Sequence, residues 1–126
     1  PKGPRYYPDD MITNKNERFI VSEIIREKAL INLSSEVPHG IYVRIDSFKE
    51  RPDKKIIDIH ATIITEKESH KEIVIGRGGR KIKQIGMEAR KEIETFLSCK
   101  VNLQLWVKVE KDWRKKQKLV DRFGYK

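Results

Sequence analysis

The sequence predicts an α+β domain in which three strands form a sheet and helices cover it. Three observations carry that expectation. Residues 41–45, 57–63 and 101–109 alternate apolar with polar side chains, as strands with one buried face do. Residues 82–97 repeat apolar side chains at three- and four-residue steps, the pattern of an amphipathic helix that needs a sheet to cover. Between the second and third strand patterns, Gly76, Arg77, Gly78 and Gly79 form a glycine loop flanked by apolar segments.

In chain order, Pro1, Pro4, Pro8, Gly3 and the pair Tyr6, Tyr7 give residues 1–13 the character of an extended interdomain connector, leaving 14–126 as the folded domain. The start at Pro1 instead of Met suggests a piece of a longer protein. Asn14 with Glu17 offers a capping box, and Phe19, Ile20, Val21, Ile24, Ile25 and Ile31 supply helical periodicity up to Leu33. Ser34, Ser35 and Pro38 stop that helix.

Ile41, Val43 and Ile45 then alternate with Tyr42, Arg44 and Asp46, and a turn near Arg51, Pro52 and Asp53 leads into Ile57, Ile59, Ala61 and Ile63. The two runs form a hairpin. Residues 68–75 suit a short helix or a strand, since Ile73, Val74 and Ile75 are β-prone while Lys71 and Glu72 are not. After the loop come the helix carrying Ile82, Ile85, Ala89, Ile93, Phe96 and Leu97, and the strand carrying Val101, Leu103, Leu105, Val107 and Val109. From Asp112, the side chains Trp113, Leu119, Val120 and Phe123 read as a closing helix stopped by Gly124.

Composition narrows the partners. At 126 residues the chain has one domain's length, with 28 Lys and Arg against 19 Asp and Glu for a net charge of +9. Such a charge favours polyanions, and both nucleic acid and anionic membrane qualify. The Lys, Glu and Ile bias also fits a heat-adapted proteome, which needs no ligand. Cys99 is the only cysteine, so an intrachain disulfide or a cysteine metal cluster is excluded, and a reducing cytosol fits. His39, His60 and His70 lack the spacing of a helical metal pair. No apolar run approaches the ~18 residues needed to span a bilayer. Glu68, Glu72 and Glu88 show no ligand-like pairing, so no catalytic residue is assigned and the chain is not read as an enzyme.

The glycine loop carries the chemistry. Glycines let backbone amides approach an anion, and the helix start behind them adds unpaired donors and a positive partial charge. A P-loop beginning at Gly76 would need glycine at position 81 followed by Lys and Ser or Thr, and the dinucleotide fingerprint would need the same glycine. Lys81, Ile82 and Lys83 stand there instead.

Backbone amides of Gly76, Arg77, Gly78 and Gly79 are expected to contact phosphates, with Arg77, Arg80, Lys81 and Lys83 supplying charge and fixing register without reading sequence. Ile75, Ile82 and Ile85 are the expected lining of an apolar groove for unpaired bases, though each also suits ordinary core. A second basic stretch, residues 108–118, reads as a solvated face, as further phosphate contacts, or as an attachment to anionic lipid with Trp113 as anchor. Trp106 leaves the polar face of its strand, to stack on a base or pack under the last helix.

The pattern Ile75, Gly76, x, x, Gly79, x, x, Ile82, Lys83, x, Ile85 resembles the signature of the KH domain, which clamps about four nucleotides of single-stranded nucleic acid. The element order resembles the type II KH topology. That implies a three-stranded mixed sheet covered by helices on one face, plus a C-terminal helix. The helix at Glu17, Arg18, Phe19 and Ser22 to Lys28, the connector Tyr6, Tyr7, Pro8, the run from Ile82 to Lys91, and Leu105 to Val109 together resemble the C-terminal domain of the Era family of bacterial GTPases. That resemblance covers essentially the whole chain. It implies binding to the 3′ region of 16S rRNA in the small ribosomal subunit, a role in ribosome assembly, and a cytoplasmic location with peripheral contact at the inner face of the cell membrane as an alternative. The alternative function, supported by the basic tail and the connector, is a basic adaptor surface for anionic membrane or a protein partner. GTP and Mg would then belong to a missing N-terminal GTP-binding domain, with no cofactor in this chain.

Overall fold

The computed structural model describes residues 10–33, 41–52 and 55–111, and of residues 10–15 the backbone alone. Strands β1, Ile41–Glu50, and β2, Ile56–Thr65, pair antiparallel as the hairpin pattern predicts, with Val43 opposite Ile63. Their register slips between Ile45 and Ser47, leaving Asp46 as an extra residue in a bulge. The slip keeps Phe48 opposite Ile59, on the face that is buried. Asp46 accepts hydrogen bonds from Thr62 Oγ1 at 2.5 Å and Arg44 Nε at 2.8 Å. Burial pushes its carboxyl pKa up, but these two donors outweigh it and leave the pKa below the usual range.

Strand β3, Lys100–Val109, lies parallel to β2, which makes β2 central in a mixed sheet of order β1-β2-β3. A parallel pair needs a long crossover. Here it is helix α2, Glu68–Ile75, the tight turn Arg77–Gly79, and helix α3, Arg80–Leu97. The segment left open between helix and strand is thus a helix: Gly76 ends it by donating its amide to the Glu72 carbonyl at 2.9 Å, and Val74 is buried against the core.

Helix α1, Asp10–Leu33, and α3 lie together on the sheet and close one core. α1 begins four residues before the expected capping box, so the backbone of residues 10–13 is helical and not extended. Neither proline nor glycine interrupts residues 10–33. Its buried stripe, Val21, Ile25, Ala29 and Leu33 with Ile24 beside it, follows four-residue steps and is too narrow for every apolar residue present. Phe19, Ile20 and Ile31, expected on that stripe, face outward, with Phe19 65% and Ile31 60% exposed. Phe96 is likewise a surface residue of α3, whose buried stripe is Ile85, Ala89, Ile93 and Leu97. The expected stop at 34–38, part of the turn at Asp53, the connector at 1–9 and the closing helix from Asp112 lie outside the described residues.

Three polar contacts fix α3 against α1. Lys28 Nζ meets Glu92 Oε1 at 2.7 Å, Asn32 Nδ2 donates to Glu88 Oε1 at 2.9 Å, and Lys81 Nζ donates to the Asn32 carbonyl at 3.1 Å. They set where the glycine loop sits relative to the sheet.

Candidate nucleic-acid interface

Three of the four loop residues adopt a backbone that side chains resist. Gly76 has φ 76° and ψ 171°, Gly78 φ 64° and ψ 19°, and Gly79 φ 77° and ψ 13°. Arg77 is the exception, so the loop's one side chain stands on ordinary backbone and is exposed. A Cβ at Gly76 would lie 2.6 Å from Lys81 Cβ, whereas at Gly78 or Gly79 it would meet nothing within 4 Å.

Not every loop amide is available to a phosphate. The Gly76 amide is bonded to Glu72, and the Gly79 amide donates to the Gly76 carbonyl at 3.1 Å. The turn consumes those two donors to hold its own shape. Arg77 and Gly78 remain, and their amides donate to no acceptor among the described residues.

The expected cations divide in the same way. Arg77, Arg80 and Lys83 are exposed and, among the described residues, paired with no carboxylate. Lys81 is instead half-buried and turned toward the C-terminal end of α1, where backbone carbonyls lack helical partners and attract a cation. That contact joins α3 to α1.

Behind the loop, α3 and β3 enclose an open groove of about 310 Å³ lined by Ile82, Lys83, Gly86, Met87, Arg90, Leu103 and Leu105. Ile82 belongs to it and also packs on the core. Ile85 does not: it is 0% exposed, one residue round the helix from the groove wall, and so is core. Ile75, half-buried at the end of α2, is also outside the lining.

Gly86, Met87, Arg90, Leu103 and Leu105 were not singled out from sequence. Gly86 gave a signal, since glycine inside a strong helix is unfavourable unless a close approach needs it. Packing does not demand it here, because a Cβ at Gly86 would meet Leu105 Cδ1 at an ordinary 3.6 Å, so the missing side chain leaves space in the groove instead.

Past Arg90 the groove opens to a polar cluster. Arg51 donates through Nε and Nη2 to Asp58 at 2.7 and 2.8 Å, and Asn102 Nδ2 donates to Asp58 Oδ1 at 2.9 Å. The Arg51 guanidinium, then the Asn102 amide, hold the Asp58 carboxyl down at about 2. Trp106, opposite Thr62, is 59% exposed. Its expected cover, the last helix, is outside the described residues, as is the basic stretch beyond Lys111. No described helix is long and apolar enough to cross a membrane.

The loop geometry and groove accord with a family match: the model of the KH domain covers residues 36–114. The chain belongs to the KH domain family. Its similarity extends beyond that module to the C-terminal KH part of Era. The GTPase Era of Caldicellulosiruptor saccharolyticus is 60% identical over 125 residues, which are 99% of this chain and 42% of that protein. Era of Clostridium kluyveri is 58% identical over 126 residues, 100% of this chain and 43% of that protein. The chain thus spans about two fifths of the length of these relatives.

Two solved structures share the fold with a TM-score of 0.76, at 41% identity over 86% of this chain and 36% of theirs. One is Aquifex aeolicus Era bound to GDP and aluminium fluoride. The other is Era in complex with MgGDPNP and nucleotides 1506–1542 of 16S ribosomal RNA. The type II expectation of a three-stranded mixed sheet with helices on it agrees with this fold.

Proposed function

We propose that this KH domain binds single-stranded RNA along the α3–β3 groove, and that its target is the 3′ region of 16S rRNA during small-subunit assembly. The observation that carries the reading is the union of two amides, at Arg77 and Gly78, with three cations, Arg77, Arg80 and Lys83, all without a partner among the described residues and set beside an apolar groove. Amides and cations hold the sugar-phosphate rail. Ile82, Met87, Leu103 and Leu105 offer flat apolar contact to bases that are not already paired. An Era structure holding a 16S rRNA segment supports the choice of RNA.

In mechanism the domain binds and orients and does no covalent chemistry. The apolar groove walls, Ile82 and Met87 on α3 and Leu103 and Leu105 on β3, offer contact to unpaired bases and so favour single strands over a duplex. In the full protein the domain would work beside an Era-like GTPase unit, with guanine nucleotide and Mg bound outside these residues. Titration of one RNA sequence, single-stranded and as a duplex, at two salt concentrations tests the reading. The single strand should bind more tightly, with affinity falling steeply as salt rises. Equal affinity for both forms would refute it.

A further inference from the structure

We propose that the RNA track extends beyond the KH groove into a second, polar basin, where Asn102 meets the edge of an additional base and Lys100 meets its phosphate. The inference rests on the RNA-binding reading above and adds a subsite to it.

α3 runs from the loop past Ile82, Gly86 and Arg90 to Glu94, while the facing β3 residues step back from Leu105 through Leu103 to Val101. A strand entering at the loop and following the groove therefore leaves it at Arg90. There a cavity of about 540 Å³ begins, bounded by Arg51, Glu94, Lys100 and Asn102, and it shares Arg90 and Leu103 with the groove. The two spaces form one path that changes character, from apolar at the bases' first positions to polar at its end.

The polar end is pre-organised. Asp58 is a carboxylate and only accepts, so its contact with Asn102 fixes the amide with one N–H toward Asp58. Among the described residues the Asn102 oxygen and second N–H have no partner, which leaves an acceptor and a donor on one amide for a base edge. Arg51 is clamped by its two bonds to the same carboxylate, which locks the guanidinium plane and leaves its faces for stacking. Glu94 is committed, since Oε2 accepts the Val101 amide at 2.9 Å and Arg90 Nη1 at 3.4 Å. Lys100 is exposed and has no ion pair among the described residues.

The test compares a tetraribonucleotide with a hexaribonucleotide of related sequence on the wild type, Lys100→Ala and Asn102→Ala, all as the full chain. The wild type should bind the hexamer about tenfold more tightly, the worth of one good base-edge contact. Each substitution should remove most of that advantage, leave tetramer affinity within about twofold, and for Lys100→Ala lower the salt slope by about one charge. The same two oligonucleotides serve every variant, so differences in binding register cancel. A wild type that binds both lengths equally overturns the basin, and so does a substitution that weakens both lengths alike. If the wild type binds neither oligonucleotide, the RNA-binding reading itself fails.

Discussion

Gly76 and Lys81 approach so closely that a Cβ on the glycine would stand 2.6 Å from the lysine Cβ and 2.9 Å from its backbone nitrogen. Two constraints coincide at Gly76, because its φ of 76° with ψ of 171° is also a region that glycine alone visits readily. Gly76→Ala should therefore destabilise the domain by roughly 2–4 kcal/mol in chemical denaturation. Wild-type stability would show that the turn can reopen without cost.

Gly86 has a different reason to be glycine. A methyl group there meets Leu105 at an ordinary 3.6 Å, and alanine is the better helix former by about 1 kcal/mol. Gly86→Ala should hold or raise the melting temperature while weakening single-stranded RNA, since it narrows the groove. Calorimetry with a binding isotherm on the same sample checks both halves. A variant that gains stability and keeps full affinity would show that bases do not reach that part of α3.

Lys81 and Lys83 are two residues apart and should behave oppositely. Lys81→Ala breaks the contact to the Asn32 carbonyl and should cost about 1 kcal/mol of stability with the salt slope of binding unchanged. Lys83→Ala, at an exposed site on the groove, should leave stability alone and reduce the slope by about one charge. Salt-dependent binding and urea unfolding of both variants distinguish the roles.

Asp58 gives the domain an acid-sensitive contact. Its folded pKa of about 2, set by Arg51 and then Asn102, lies below the ~3.9 of an unfolded aspartate. The contribution is present above the unfolded value and is lost as pH falls from about 4 toward 2. Unfolding midpoints across that window should fall less steeply for Asp58→Asn than for the wild type. Carboxyl NMR should place the Asp58 transition near 2, and a transition near 4 would remove the ion pair from the account.

Much of this was legible in the sequence, and the gaps have physical causes. Strand alternation at Ile41, Val43 and Ile45 and at Val101 to Val109 survived because one sheet face is buried and period two leaves no other solution. The glycines of the loop announced themselves because positive φ has few other tenants. Helix α2 stayed ambiguous because Ile73, Val74 and Ile75 favour strand locally, and only the crossover between parallel strands makes them helical. Lys81 looked identical to its basic neighbours until α1 supplied a carbonyl for it. Leu103 and Leu105 could not be tied to the loop from spacing, because β3 is brought beside Gly86 only by the tertiary fold.

The most direct measurement of the central claim is the affinity of a labelled single-stranded RNA for the double variant Arg77→Asp, Gly78→Asp, with a thermal melt on the same sample. Arg77 is exposed, and Gly78 faces open space at φ 64°, a conformation aspartate tolerates better than most residues. The melting midpoint should therefore fall by no more than about 6 °C. Two carboxylates would then face the phosphates, and affinity should drop by about 100-fold or more. Wild-type affinity in a folded double variant would contradict the account.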